Sequence, residues 1–186
     1  MENMVPLFDC RVGPEAQSLV ASVLESGNLA AGPYVNDLEA ALSQRLQGRP
    51  VVVLSDMTQA LVLALRLSGV AAGDEVLTLA LNCMSSNTAI AMAGAIPVWV
   101  DVDPETATID IDDCRQAISS RTRAMVVYHV AGYPADVIAC RKLCSEYGLS
   151  FIEDANAAFG AVVDDMPIAT VGRFGILSFY ANRQVN

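Results

Sequence analysis

Short β-branched runs alternate with longer segments of helical periodicity over most of this chain, and this alternation limits the fold more than any other feature. Strands are predicted at residues 51–55, 75–79, 97–101, 124–129, 150–153 and 175–180. Helices are predicted at residues 14–25, 34–47, 58–68, 86–93, 111–119 and 135–147. Near-continuous hydrophobic strands joined by helices are typical of a mostly parallel sheet with helices on both faces. We therefore predict a three-layer α/β/α fold.

The length of the chain predicts a single domain. Its 186 residues are a natural size for one hydrophobic core, and no repeat, low-complexity tract or linker interrupts residues 1–186. Hydrophobic residues make up 53% of the chain and charged residues only 17%. This composition predicts a large core, or a core together with a buried interface.

Charge and cysteine usage exclude two classes of binding protein. The net charge is −10, and no Lys/Arg cluster forms the basic face that nucleic-acid binding requires. Five cysteines, no CxxC motif and a single histidine argue against a disulfide framework and against a zinc site. Cys140 and Cys144 lie one helical turn apart, which predicts reduced packing residues. We expect no nucleic-acid partner and no metal site.

The apolar segments are too short to predict a membrane protein. The longest, residues 89–100, is interrupted by Gly94 and Pro97. The first ten residues lack the basic start and the long apolar stretch of a signal peptide. We therefore expect no membrane association and a cytoplasmic location.

Ligands of open parallel sheets bind beyond the carboxyl ends of the strands, so the candidate residues follow the predicted strands. Ser55, Asp56, Met57 and Thr58 join a predicted strand to a helix. The first amides of that helix and the Thr58 hydroxyl can hold a phosphate. Alternatively, Ser55, Asp56 or Thr58 only caps the helix. Dinucleotide and P-loop sites are not predicted, because their glycine fingerprints are absent.

Four further polar residues stand at or beyond strand ends. Asp154 closes a buried strand, where a carboxylate can keep the ring nitrogen of a cofactor protonated or can simply cap a turn. His129 invites a catalytic role, but we favour a hydrogen-bonded structural histidine. Ser178 and Arg183 can both face a bound phosphate, or they can be surface residues of a frayed end.

The order and spacing of five segments carry a resemblance to a known family. They read GDEVLTLAL, GAIPVWVDVDPETATID, SSRTRAMVVYHVAGYPAD, GLSFIEDANAAFGA and LSFYANR. Together they strongly resemble the DegT/StrS family of aminotransferases, which act on nucleotide-linked keto-sugars with pyridoxal 5′-phosphate (PLP) in polysaccharide and related amino-sugar biosynthesis. The resemblance implies the large domain of a fold-type I PLP enzyme. It also implies a homodimer that takes a nucleotide sugar and an amino donor.

Three positions match residues that hold the cofactor in that family. The resemblance implies that Thr58 contacts the PLP phosphate, that Asp154 pairs with the pyridine nitrogen, and that Ser178 also contacts the phosphate. Each role agrees with the chemistry that the residue and its place in the chain allow.

Three other cofactor positions depart from the family pattern. Met57 stands where a glycine usually lets the backbone approach the phosphate. Cys83 replaces an aromatic residue that often stacks on the ring. Ala157 replaces the histidine or glutamine that contacts the ring hydroxyl.

Arg183 falls on the lysine that forms the Schiff base in the family, which makes it the catalytic position. An imine requires a neutral amine nucleophile. Arginine stays protonated and its nitrogens are delocalised, so covalent attachment of PLP is not expected. Lys142, the only lysine, lies in the predicted helix at 135–147, away from every strand end.

Family members are about twice the length of this chain, so the resemblance implies that the small domain is absent. We favour a catalytically silent aminotransferase homologue. The alternatives are a chain that is active only within a longer protein with lysine at residue 183, a non-catalytic dimerisation or regulatory paralogue or remnant, and a PLP binder that does not depend on lysine.

Overall fold

The computed structural model describes residues 12–181 and residue 183. These residues form two compact units, one from residues 12–53, 179–181 and 183 and the other from residues 54–178. The assignment of residues 1–186 to one domain stays a prediction. Within the described residues, no helix is both long enough and apolar enough to cross a membrane.

In its described part, the first unit contains two helices, α1 (Ala16–Ser26) and α2 (Pro33–Arg45). Pro33 lies in the first turn of α2, where its missing N–H leaves no donor without a partner. Both helices agree with the predicted segments to within two residues.

The strand predicted at residues 51–55 is wrong. The segment pairs with no other strand among the described residues. The amide of Val53 donates instead to Glu39 Oε1 at 2.8 Å, so a side chain satisfies a donor that a neighbouring strand would have used. A β-branched sequence favours a strand only when a paired neighbour is available.

A five-stranded parallel sheet forms the centre of the second unit. Its strands lie in the order β2-β1-β3-β4-β7. The bounds are β1 Glu75–Leu79, β2 Ile96–Val100, β3 Thr122–Tyr128, β4 Ser150–Asp154 and β7 Phe174–Ile176. The short strands β5 (Val162–Val163) and β6 (Met166–Pro167) form a separate antiparallel pair. The five strands predicted from residue 75 onward are confirmed, although β7 ends at Ile176 and not at residue 180.

Four α-helices accompany these strands, and aspartate side chains cap three of them. The helices are α3 (Met57–Leu67), α4 (Met84–Met92), α5 (Ile111–Ala117) and α6 (Val137–Tyr147), with a short 3-10 turn at Val130–Gly132. Asp136 accepts a hydrogen bond from the amide of Ala139 at 2.9 Å. Because Asp136 is the cap and not part of the first turn, α6 begins two residues later than predicted.

Helices cover both faces of the sheet. On one face, α3 and α4 pack with strand residues such as Val76 and Val126. On the other face, α5 and α6 pack with Leu77 and Val127. Successive side chains of a strand point to opposite faces, so each strand contributes to two cores. The predicted three-layer α/β/α arrangement is confirmed.

The cysteines of α5 and α6 behave as packing residues. Cys114, Cys140 and Cys144 are buried in one apolar cluster and are free thiols. Burial raises the pKa of Cys114 and that of Cys144 to about 12, and it raises the pKa of Cys140 well above its usual value. The thiols therefore stay protonated, which confirms the prediction for Cys140 and Cys144. Cys10 lies outside the described residues.

Gly175 in β7 is expected not to tolerate a side chain. A Cβ atom there would lie 2.2 Å from the carbonyl oxygen of Ala169, which is part of the backbone and cannot move alone. Gly175→Ala should lower the free energy of unfolding by about 3 kcal/mol, measured by urea denaturation. Gly148→Ala is the control. Gly148 has a φ of 68° but open space around it, so this substitution should lower the free energy of unfolding by only about 1 kcal/mol. Equal losses would contradict the steric explanation.

Candidate functional site

The predicted site residues of the second unit gather at the carboxyl edge of the sheet. β4 ends at Asp154, whose partner on β7 is Ile176, so Ser178 follows two residues beyond the same edge. α3 packs against α4 and β7 and leads toward the amino end of β1. Its own first residues, Met57 and Thr58, therefore lie toward the carboxyl edge. The fold thus brings residues from three separate parts of the chain to the carboxyl edge of the sheet.

Asp154 is fully buried and is held by two polar side chains. The hydroxyl of Ser86, in the first turn of α4, donates to Oδ2 of Asp154. The side-chain amide of Asn156 donates to Oδ1 at 2.7 Å, and its backbone amide lies 3.3 Å from the same atom. Sequence reasoning missed both residues. Ser86 carries no local signal, whereas Asn156, a short polar side chain two residues after Asp154, is a recognisable turn partner.

The surroundings of Asp154 oppose its ionisation. Burial is the largest influence and raises the pKa of this carboxyl above its usual range. The hydrogen bonds from Ser86 and Asn156 lower the pKa and offset only part of that rise. A cation in contact with the carboxylate, such as a protonated ring nitrogen, would favour the charged form.

Asp154→Asn is expected to stabilise the ligand-free chain by about 1 kcal/mol at pH 8. Because the pKa of Asp154 is raised in the folded state, its stabilising contribution is present at low pH and is lost as the pH rises through the folded pKa. Asparagine stays uncharged and can keep hydrogen bonds to both Ser86 and Asn156. Urea unfolding at pH 8 and at pH 4 measures the effect, which should shrink at the lower pH. A variant that is less stable at pH 8 would contradict the direction.

The first turn of α3 combines a cap with free amides. Asp56 is the N-cap, and its carboxylate accepts the amide of Gln59 at 2.9 Å. Met57 and Thr58 occupy the first two helical positions, whose amides have no acceptor within the helix. Capping by Asp56, one of the predicted alternatives, is therefore present. It leaves the Thr58 hydroxyl and these amides available for an anion.

The other cofactor positions differ in what they offer a ligand. Cys83 is exposed at the start of α4 and does not cap the helix through its side chain. Ala157 is half-buried just after Asp154, and its methyl group has no polar atom to offer. Ser178 is half-buried beyond the end of β7. Their assignment to a cofactor stays a prediction.

Glu153 and His129 form a buried polar pair beside the site. The Glu153 carboxylate accepts the amides of Ala169 at 3.0 Å, Val171 at 2.8 Å and Gly172 at 2.6 Å, so it holds the segment that leads into β7. His129 Nε2 lies 3.4 Å from Glu153 Oε2, while Nδ1 accepts the amide of Ala135 at 3.1 Å. His129 is hydrogen-bonded as predicted. Sequence reasoning missed this role of Glu153.

Two positions bear on covalent chemistry. Arg183 belongs to the first unit and is half-buried; among the described residues, its Nε atom is buried without a hydrogen-bond partner. Lys142 is exposed on α6, which covers the sheet face opposite the α4 side where Ser86 holds Asp154. Lys142 is therefore separated from Asp154 by the sheet.

The residues present fit PLP as a non-covalent ligand but not as a covalent one. A helix N-terminus and two hydroxyls suit a phosphate, and the desolvated Asp154 carboxyl suits a protonated ring nitrogen. Residue 183, to which the resemblance assigns the Schiff-base lysine, is an arginine and offers no amine. Over residues 12–181 and 183, no group of three or more His, Cys, Asp or Glu side chains could hold a metal ion.

Comparison with known proteins identifies the family. Residues 11–186 match the DegT/DnrJ/EryC1/StrS aminotransferase family. A GDP-perosamine synthase of Vibrio cholerae is 27% identical over 183 residues, which cover 98% of this chain and 50% of that protein. The chain thus spans about half the length of this relative. It belongs to the DegT/DnrJ/EryC1/StrS family.

Solved structures show the same fold. AtS13 from Actinomadura melliaura is 39% identical and superimposes with a TM-score of 0.91 over 97% of this chain and 50% of that protein. A Streptococcus pneumoniae protein described as a sugar aminotransferase, Spr1654, superimposes in its PLP form with a TM-score of 0.93 at 26% identity; the match covers 98% of this chain and 50% of that protein. The same protein is also known in a PMP form. The fold is that of PLP-dependent sugar aminotransferases.

Proposed function

We propose that this family member binds PLP without a covalent bond and is catalytically silent as an aminotransferase of nucleotide-linked keto-sugars. The observation that carries the proposal is arginine at residue 183, in a chain whose other cofactor contacts at Thr58, Asp154 and Ser178 are kept. The PLP and PMP forms of a solved relative support the choice of cofactor.

Different residues would hold the phosphate and the ring of the cofactor. Thr58 and the first amides of α3 would receive the phosphate together with the Ser178 hydroxyl. Asp154, fixed by Ser86 and Asn156, would receive the ring nitrogen. When bound, PLP supplies an electron sink, and Asp154 would maintain it by keeping the ring nitrogen protonated.

The absence of turnover follows from the chemistry of arginine. A protonated guanidinium cannot attack the aldehyde, and it cannot carry a proton between substrate atoms as a lysine amine does. Lys142 cannot substitute, because it lies on the other face of the sheet from Asp154. Both steps that require the lysine are therefore lost.

The proposed partner of the chain is a second copy of itself, and a chain that is active would in addition take a nucleotide sugar and an amino donor. The name of the Vibrio cholerae relative supports a nucleotide-sugar ligand. Exposed apolar side chains of the second unit, including Met84 and Met92 of α4 and Trp99 of edge strand β2, support a homodimer. Light scattering after size exclusion measures the mass of the assembly, and a monomer at all concentrations would contradict the homodimer.

The visible spectrum during a PLP titration and the mass of the chain after borohydride reduction together test the proposal. Titration with PLP should change the visible spectrum in a saturable way, and borohydride reduction should leave no adduct within the site. A Lys142→Arg variant has no lysine side chain, so any reduced adduct that it forms must be on the N-terminal amine. Thr58→Ala should weaken binding about tenfold, whereas Thr88→Ala, on the exposed side of α4, should not. Transfer of an amino group to a keto-sugar, or no saturable binding, would overturn the proposal.

A further inference from the structure

A cavity of about 410 Å³ lies at the end of the sheet opposite the candidate cofactor site, where β4 begins. Ser150, the first residue of β4, lines it, whereas Asp154 is the last residue of the same strand. A strand of this length spans about 13 Å, so the cavity is separate from the candidate cofactor site. Its other walls are the last turns of α6 and the segment that leads into β7.

Two arginines line this cavity without a charged partner. Arg141 comes from α6 and Arg173 from the residue before β7. Over the described part of the chain, neither guanidinium forms an ion pair or a hydrogen bond, and no Asp or Glu lines the cavity. Elsewhere in this acidic chain Arg115 pairs with Glu146, and Arg121 pairs with Glu75. Two cations that share a cavity repel each other unless an anion joins them.

Two hydroxyls complete the polar lining. Ser145 lies one helical turn after Arg141 and therefore on the same face of α6, and Ser150 lies at the start of β4. Within the described residues, neither hydroxyl donates a hydrogen bond. The neighbouring Glu146 is engaged elsewhere, because it contacts Arg115 at 2.7 Å. The cavity thus offers hydrogen-bond donors and no competing carboxylate.

One feature of the cavity, the C-terminus of α6, opposes the binding of an anion, but its effect is weaker than that of the two arginines. The C-terminus of α6, capped by Gly148, carries a partial negative charge of about half a unit. Two guanidinium groups together carry two full positive charges, and each can donate two parallel hydrogen bonds to an oxyanion. Cys144 adds no negative charge, because burial raises its pKa to about 12. The side chains that line the cavity therefore carry a positive net charge.

We propose that this cavity binds a small phosphate-bearing anion, with Arg141 and Arg173 as charged ligands and the Ser145 and Ser150 hydroxyls as further donors. A planar guanidinium fork matches phosphate oxygens, and three acceptor oxygens can use both arginines and a hydroxyl. The volume lies within the usual range of small-molecule sites, about 300–1,000 Å³, so it can admit more than the bare ion. The proposal does not rest on the proposed PLP function.

Inorganic phosphate is the probe that tests this site. We would titrate it into the full chain at constant ionic strength and follow the backbone amide signals by NMR. Saturable shifts are expected at Gly148, Leu149 and Ser150. Arg141→Gln and Arg173→Gln should each weaken the apparent affinity about tenfold. Arg66→Gln removes an exposed arginine of α3 outside the cavity and should leave the affinity unchanged.

The controls separate this cavity from the cofactor site. Thr58→Ala alters the α3 N-terminus and should leave the shifts at Gly148, Leu149 and Ser150 unchanged. Equal shifts with chloride would show general screening and overturn the proposal. Unchanged affinity in both arginine variants, or shifts confined to Thr58 and its neighbours, would overturn it as well. Both arginines are exposed, so their loss is not expected to unfold the chain.

Discussion

Arg183→Lys is expected to give the chain a borohydride-reducible PLP adduct at residue 183, where the chain with arginine gives none. A lysine amine in a desolvated pocket loses its proton and adds to the aldehyde. A guanidinium remains protonated and delocalised and cannot do so. The expected change runs from no site adduct to about one per chain, which makes it the largest chemical effect that a single substitution should have here.

The measurement uses Arg183→Lys in the Lys142→Arg background, so that residue 183 carries the only lysine side chain. Intact mass after reduction, followed by peptide mapping, locates the adduct. Arg66→Lys in the same background is the matched control, because it places a lysine on the exposed surface of α3. Equal adduct yields at residues 66 and 183 would contradict a preorganised site. PLP binding without an adduct at residue 183 would show that this residue does not face the aldehyde.

Glu153→Gln is expected to lower the free energy of unfolding by about 3 kcal/mol at pH 7. The buried carboxylate accepts three backbone amides from the segment before β7, and His129 Nε2 lies 3.4 Å away. Glutamine has nearly the same shape but replaces one oxygen with a donor. At least one buried amide then loses its acceptor, and the electrostatic attraction to the donors falls. Urea denaturation measures the loss.

The pH dependence of stability identifies the carboxylate as the cause. Burial alone would raise the pKa of Glu153, but contact with His129 and the amides of Gly172 and Ala169 lowers it below its ordinary 4.5. A depressed pKa means that the stabilising contribution is complete above pH 4.5 and is lost as the pH falls through the folded pKa. The parent chain should therefore lose stability below that pH more steeply than Glu153→Gln does.

Glu146→Gln is the control for the removal of a glutamate charge. Glu146 pairs with Arg115 at 2.7 Å, but its side chain is 46% exposed, so its loss should cost less than about 1 kcal/mol. Similar losses for Glu146→Gln and Glu153→Gln would mean that burial and the amide contacts do not matter. Parallel pH profiles for the parent chain and Glu153→Gln would contradict the assignment to this carboxylate.

Much of the fold could be predicted because local patterns and tertiary packing agree. The five strands of the sheet and the helices beside them have hydrophobic patterns that match their buried faces. Residues 51–55 show the limit, because a strand exists only with a partner and the amide of Val53 pairs with Glu39. The start of α6 was predicted two residues too early, because the N-cap depends on the hydrogen bond that the Asp136 side chain accepts from Ala139.

The candidate site could be predicted only in part. Thr58, Asp154 and Ser178 follow predicted elements, and their chemistry can be read from their place in the chain. Ser86 could not be found in this way, because its contact with Asp154 spans 68 residues and arises from the packing of α4 on the sheet. Contacts between distant residues depend on topology, which no local pattern contains.

The sequence by itself determined what chemistry the chain can perform, because the identities of side chains are independent of folding. One lysine, arginine at residue 183 and an aspartate after a buried strand are fixed before any contact forms. Only the tertiary structure decided what surrounds them. Glu153 and Asp154 are adjacent acids on β4, yet the pKa of Glu153 is lowered and that of Asp154 is raised. Successive strand residues face opposite sides of the sheet: burial dominates at Asp154, whereas the contacts of Glu153 with His129 and the backbone amides outweigh burial.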